Sequence, residues 1–269
     1  MPSTIVIGDI HGYYGRMVEL LKQAELINAD WSWRGGDTTV CFVGDYFDRG
    51  PDGISVVNLI IRLQREAEMA GGRVIALLGN HDVWILAARR FGQAPENSLQ
   101  KAFMSSWLRY GGQVSDLKRL SPAHIDWVTQ CPAMALLEDR LFIHADALFY
   151  AHYGDNIEQV NRAITTILTG NDAMAYDLLL GNFSDRFAFS EYDEYGVQRQ
   201  DPAARARRFL SIFGGKQIVH GHTPICRMTG QEPEEVLTPH TYANNLCVNV
   251  DHGLYKGGPG FVYPLPSLP

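Results

Sequence analysis

Short apolar runs along this chain stop abruptly at Gly, Asp or His. They cover residues 4–9, 39–45, 73–79, 141–144, 217–220 and 246–251. Runs of this length and composition, closed by turn residues, predict buried strands of parallel type. Between them lie longer stretches with helical spacing. Residues 14–27 place Met17, Leu20, Leu21 and Ala24 on one face, and residues 53–69 do the same with Val56, Val57, Ile60, Ile61 and Leu63. Asp52, after Pro51, is positioned to cap the second of these helices. Residues 98–130 read as helical, with Ser121-Pro122 opening a new turn. Residues 157–213 read as helical but broken at Gly170, Gly181 and Gly196. Phe183, Phe187, Phe189, Tyr192 and Tyr195 lie in that stretch, so 147–213 is either a helical cap over a site or plain core. Alternating strands and helices give an α/β fold in one domain, 1–269, and in such folds ligands collect beyond the carboxyl ends of the strands.

Composition narrows the classes. With 46% hydrophobic residues the chain can build an ordinary globular core. The net charge of −7 and the absence of a long Lys/Arg run argue against nucleic-acid or anionic-membrane binding. Arg205, Arg207 and Arg208 read as the wet face of a helix. Cys41, Cys131, Cys226 and Cys247 form no CxxC pair, so a reducing compartment and no disulfide framework are expected. No leader segment and no membrane-length apolar stretch are visible, which predicts a cytoplasmic protein.

The chemistry sits where five of the strands end. Gly8-Asp9-Ile10-His11-Gly12 puts a carboxylate and an imidazole two residues apart, on one side of an extended segment and able to share a metal. Asp45, in Gly44-Asp45-Tyr46-Phe47-Asp48-Arg49-Gly50, has two oxygens and can bridge two cations. Arg49 is a planar fork suited to phosphate. Asn80 and His81, in Gly79-Asn80-His81-Asp82, diverge from an extended strand end. Asn80 can ligate a hard metal through its amide oxygen, and His81 is free as a general acid that Asp48 could hold protonated. Asp82 is a candidate cap for a helix over 83–90. His144 closes a strand. Of His220 and His222, the second is expected to be the ligand and the first to lie nearer the sheet.

Taken in order, these segments resemble the phosphoprotein phosphatase branch of the calcineurin-like metallophosphoesterases, which carries GDxHG, GDxxDRG, GNH with an acidic residue, and two later histidine segments. The resemblance runs from Gly8 to Thr223. His144-Ala145-Asp146 and Gly221-His222-Thr223-Pro224 are similar to bacteriophage lambda-type protein phosphatases. Residues 71–81 are similar to the Shewanella-like phosphatases. The resemblance implies an αββα fold: a central β-sandwich flanked by helices. It implies a first metal on Asp9, His11 and Asp45, and a second on Asp45, Asn80, His144 and His222. Arg49 would bind the phosphoryl group. Arg186, in a Ser184-Asp185-Arg186 segment similar to the Trp-Ser-Arg of bacterial members, would be its partner. His81, paired with Asp48, would protonate the leaving group. Two features depart from the pattern: Asp82 stands where Glu is usual, and His144-Ala145-Asp146 replaces HGG or HAG.

The reaction expected is direct in-line attack of a metal-bridging hydroxide on phosphorus, with no covalent phospho-enzyme. Mn is the expected metal, with Fe or Zn as alternatives. The first substrate class is phosphoserine or phosphothreonine in a protein. A symmetrical dinucleoside tetraphosphatase, or another small-molecule phosphoesterase, would reuse the same centre, and His124-Ile125-Asp126-Trp127 suits both. A regulatory protein with a degenerate site would need a lost ligand, and none is lost. A phosphodiesterase or nuclease fits the Asp-Arg-Gly segment less well and finds no basic groove.

Overall fold

The computed structural model describes residues 4–92 and 99–268. Its first sheet is built from β1 (Thr4–Ile7), β2 (Thr39–Phe42), β3 (Arg73–Ala76) and, last in the chain, β9 (Val262–Pro264), in the order β3-β2-β1-β9. The second contains β4 (Met134–Leu137), β5 (Arg140–Ile143), β6 (Gln217–His220), β7 (His240–Tyr242) and β8 (Cys247–Asn249), in the order β4-β5-β6-β8-β7. In each sheet three neighbouring strands run parallel: β1, β2 and the edge strand β3 in one, β5, β6 and β8 in the other. The edges β4, β7 and β9 are antiparallel.

The strand sequences are apolar on both faces because both faces are covered. Val6, Cys41 and Ile75 face Phe142, Val219 and Val248 in a dry layer between the sheets. Their sequence neighbours Ile5, Ile7, Val40, Phe42, Leu141, Ile143 and Ile218 point outward into the core shared with the helices. Burying each such side chain contributes about 1.5–3 kcal/mol, so the period-two alternation fixes the strand faces. This is the αββα arrangement expected. The three antiparallel edge strands were not read from the sequence. They are short, largely half-buried, and β9 ends in Pro264, which an edge tolerates because the ladder loses only an outward N–H.

Helices α1 (Tyr14–Gln23), α2 (Gly53–Met69) and α3 (Asn80–Phe91) follow the first three strands. α1 is shorter than its pattern, because Ala24 caps it and Glu25 turns left-handed at φ 57°. α2 has the expected bounds, and the Asp52 carboxylate accepts from Ser55 N at its start. Residue 98, the expected start of the next helical region, lies outside the described residues. The region holds α4 (Leu99–Arg109), α5 (Val114–Arg119) and α6 (Pro122–Gln130), the last capped by Ser121.

Beyond β5 come α7 (Ile157–Thr169), α8 (Ala173–Phe183) and α9 (Pro202–Phe213), then the short α10 (Ile225–Thr229). Gly170 ends α7 as expected, but Gly181 lies inside α8 without breaking it. α7 packs on α6 and β4, α8 on α3, and α9 on β6. Phe183, Phe187 and Phe189 are core, whereas Tyr192 and Tyr195 are exposed. The arginine triplet divides. Arg207 and Arg208 are exposed as expected, but Arg205 is half-buried and donates to the carbonyls of Ala188, Ser190 and Gln200, stapling the 188–200 segment to α9.

Candidate metal centre and phosphate site

All six parallel strands deliver their carboxyl ends to one place. Asp9 follows β1, Asp45 follows β2, Asn80 opens α3 beyond β3, His144 follows β5, His222 follows β6 and Asp251 follows β8. The loops that carry these residues close through glycines that touch the ligands. A Cβ on Gly221 would lie 2.1 Å from Asp9 Oδ1, and one on Gly79 would lie 2.2 Å from Asp45 Oδ1. Only glycine fits against a carboxylate at that range.

The local backbone differs from the extended strand ends read from the sequence. His11, Asp45, Asp48, Arg49 and His222 all adopt positive φ, between 47° and 69°. Non-glycine residues enter this region at a cost of about 1–3 kcal/mol each, and such outliers cluster at functional sites. Asp9 and His11 therefore converge by a turn, not by strand alternation. Asn80 and His81 diverge because they occupy the first turn of α3, which starts three residues earlier than expected. Asp82 does not open a helix. It sits in that first turn and accepts from Gly79 N, Asp45 N and Tyr46 N at 2.8–3.0 Å, locking the ends of β2 and β3 together.

Asp45 lies at the centre. Its Oδ2 is 3.5 Å from His11 Nε2 and its Oδ1 is 3.4 Å from His144 Nε2. Asn80 Oδ1 is 3.0 Å from His144 Nε2 and 2.9 Å from His222 Nδ1. Two ligand groups thus share one carboxylate: Asp45 with His11 and His81, and Asp45 with His144 and His222. Asp9 adjoins them, since its Oδ2 accepts from His222 N at 3.0 Å. The outer nitrogens of two histidines are already committed. His11 Nδ1 faces Phe47 O at 3.1 Å and His144 Nδ1 faces Val43 O at 2.9 Å. A carbonyl can only accept, so both Nδ1 atoms carry protons and both Nε2 lone pairs point inward, as metal-ligating histidines require. Asp9 Oδ1 and His222 Nε2 are buried with no hydrogen-bond partner. Carboxylate, imidazole and amide donors with buried unpaired atoms fit a pair of divalent cations.

The electrostatics agree. Burial alone would raise the Asp45 carboxyl, but the imidazoles of His144, His81, His11 and His222 outweigh it and hold the group low. Asp9 is pushed up by burial and by the charges of Asp251 and Asp45. His11, His144 and His222 are pushed down, chiefly by burial, which keeps their lone pairs available. A carboxylate cluster of this kind is costly without cations to neutralise it.

His81, a member of the first of these groups, also makes the contact with Asp48 expected from the sequence. His81 Nδ1 is 2.8 Å from Asp48 Oδ2, and Asp48 Oδ1 accepts from Trp107 Nε1 at 2.8 Å. Arg49 Nη2 is 3.3 Å from His81 Nε2. The guanidinium carbon of Arg49 lies 4.0 Å above the ring centre of Tyr255, whose ring also meets His11 edge-on at 5.0 Å. Arg186 is half-buried at the rim, held below its ordinary value by burial and by Arg227. Its charge reaches His222 and Asp251. His220 is the last residue of β6 and bonds Tyr242, away from the ligand groups.

Sequence reasoning missed Trp107, Tyr255 and Asp251. Asp251 carried a readable signal, an acidic residue closing a sixth apolar run, and burial pushes its carboxyl up to about 7. Trp107 and Tyr255 carried none, because each reaches the site only through tertiary packing.

Comparison with known proteins places this geometry. A cold-active protein tyrosine phosphatase of a psychrophilic Shewanella species superposes with TM-score 0.68 at 20% identity, covering 97% of this chain and 74% of that one. "Shewanella-like protein phosphatase 2" of Arabidopsis thaliana is 23% identical over 94% of this chain and 71% of its own length. A symmetrical bis(5'-nucleosyl)-tetraphosphatase of Nitrosomonas europaea is 28% identical over 69% of this chain and 60% of its own. Residues 2–226 match the family described as calcineurin-like phosphoesterase, and the chain belongs to that family.

Proposed function

We propose that this chain is a two-metal phosphomonoesterase acting on phosphoserine or phosphothreonine in proteins. The observation that carries the reading is the shared Asp45 carboxylate, flanked by Arg49 and the His81–Asp48 pair. Asp9, His11 and Asp45 would hold one cation; Asp45, Asn80, His144 and His222 the other. When bound, the cations supply Lewis acidity, making a water nucleophilic near neutral pH and offsetting charge on the phosphoryl oxygens. Mn is the favoured pair, with Fe and Zn as alternatives for the same mixed donors.

The protein's own groups do the rest. Arg49 presents paired N–H donors to the phosphoryl oxygens, and Tyr255 beneath it keeps the guanidinium plane from rotating away. Substrate entering between them separates Arg49 from His81 Nε2. That nitrogen, which accepts from Arg49 in this structure, would take up a proton from solvent once freed and pass it to the leaving oxygen, while Asp48, fixed by Trp107, holds Nδ1. Arg186 adds charge at the rim. The 184–200 segment, not helices α7–α9, would shape the mouth of the site. It also borders a cavity of about 720 Å³ that touches Tyr242 and Arg227 and is lined by none of the proposed metal or phosphate residues. The four free thiols support work in a reducing cytoplasm.

A second reading, symmetrical dinucleoside tetraphosphate hydrolysis, is supported by the Nitrosomonas relative. One assay separates them. Mn-reconstituted protein is given phosphothreonine peptide, phosphotyrosine peptide and diadenosine tetraphosphate side by side, with Asp45→Asn as the blank. Faster phosphate release from the phosphothreonine peptide is expected. Dominance of the phosphotyrosine peptide would replace the residue class, and dominant ADP production would replace the protein substrate with a nucleotide.

A further inference from the structure

Behind the second ligand group lies a buried polar chain that neither the proposed mechanism nor the family resemblance uses. Tyr242 closes the edge strand β7 and reaches across β8 to the end of β6. Its hydroxyl lies within hydrogen-bond distance of both neighbours, 3.2 Å from Asp146 Oδ2 and 2.7 Å from His220 Nε2. His220 Nδ1 faces Gly221 O at 3.0 Å, and a carbonyl can only accept, so that nitrogen is a donor. Asp146 and His220 are fully buried. His240 stacks flat on the Tyr242 ring at 5.5 Å, holding it in place.

The ends of this chain matter more than its middle. Asp146 is two residues beyond His144, and Gly221 immediately precedes His222. The same two segments are joined by Gly221 N donating to His144 O at 2.9 Å. The Gly221 carbonyl also accepts from Thr223 N at 2.8 Å, closing the tight turn in which His222 sits at φ 67°. A side chain in that region stays there only if its surroundings over-determine it. Asp146 is one of the two departures from the family pattern, and here it has a partner.

We propose that Tyr242 is a positioning residue for the second metal: by bridging Asp146 to His220 it holds the Gly221 carbonyl, and so the strained His222, in ligating geometry. The inference rests on the two-metal reading above. Groups that orient metal ligands typically change metal affinity by about 10–100-fold when lost.

Tyr242→Phe removes the hydroxyl and keeps the ring and its stack on His240. Mn²⁺ binding to the metal-free protein, followed by chelator competition and elemental analysis, should show two steps in the wild type. In Tyr242→Phe one step should weaken by about 10–100-fold and the other should stay within threefold. Asp146→Asn keeps a polar partner for the hydroxyl and should bind Mn²⁺ like the wild type. Asp146→Leu should weaken the same step as Tyr242→Phe, and it carries the test alone if the tyrosine variant does not fold. Thermal midpoints of the metal-free proteins are recorded in parallel. A lower midpoint in Tyr242→Phe or Asp146→Leu with both Mn²⁺ steps unchanged would mean that the chain only satisfies buried polar atoms, and the proposal fails. A wild type with no paired binding would overturn the two-metal reading and this inference with it.

Discussion

The half of the site carried by the first sheet and the half carried by the second are built by different means. In the first, residues 8–12, 44–50 and 79–82 hold one another directly. Ile10 N and His11 N donate to Asp45 O, Gly50 N donates to His11 O, and Asp82 gathers three amides from two strand ends. In the second, His144 and His222 are single side chains at strand ends. Their orientation comes from elsewhere: Val43 across the sandwich for His144, Asp9 and the Tyr242 chain for His222. Short segments that interlock need several particular residues in a row. A ligand positioned from a distance needs only itself, with its supports scattered along the chain.

Asp45 joins the halves, so its loss should have the largest effect. Asp45→Asn removes the charge shared by both groups and leaves His11, His144 and His222 facing a neutral amide. We expect metal content to fall at both positions and phosphoesterase activity to drop by roughly a thousandfold or more. A variant that retains two metals by elemental analysis would show that the halves bind independently.

His81 tests the first half alone. His81→Ala should slow substrates with poor leaving groups by about 10²–10⁴-fold, because an alkoxide needs the proton. Hydrolysis of p-nitrophenyl phosphate, whose leaving group needs little help, should fall much less, and metal content should hold. Equal losses on both substrates would take the proton-donor role away from His81. They would also leave the Asp48–Trp107 support without a chemical purpose.

The same contrast explains what could be read in advance. The residues singled out in the first three segments do gather in one place, and GDxHG, GDxxDRG and GNHD are long enough to be specific. Their backbone was misread, since nothing in the letters says that His11, Asp45 and Asp48 turn left-handed. In the second half, His222 was separated from His220 only by its place after the strand. Arg205 read as surface because its three carbonyl partners belong to a loop without periodicity. The parallel strands were legible through their apolar runs, whereas the edge strands β4, β7 and β9 were not. β7 and β9 are at most half-buried, so few of their positions need apolar residues, whereas the edge strand β3 is largely buried and was legible. Tyr242 and Tyr255 do their work from β7 and from the short 3-10 helix Leu254–Lys256 before β9, the parts of the chain whose structure the pattern left blank.

The smallest expected effect concerns how the first half is anchored to its scaffold. Asp116, at the start of α5, accepts from Gly53 N at 2.8 Å, where α2 begins just beyond the Asp-Arg-Gly turn. Burial pushes its carboxyl from an ordinary 3.8 up to about 6, against the pull of the Gly53 and Ile54 amides. Between those two pH values the folded protein keeps a proton that the unfolded chain has released. Stability therefore falls as pH rises through the window and levels off above about 6. Asp116→Asn keeps an acceptor for Gly53 N and has no proton to lose. Its stability relative to the wild type should improve between pH 4 and pH 6.5 by roughly 1 kcal/mol, after allowing for solvent screening at the exposed Arg119 side. For a chain of this size that is about 2–4 °C in thermal midpoint. Urea unfolding of both proteins across the range measures it. A pH-independent difference would mean that Asp116 is already ionised in the folded protein at pH 4, and that the amides, not burial, decide its charge. Because Asp116 touches no ligand, phosphoesterase activity at saturating Mn²⁺ should match the wild type in either case.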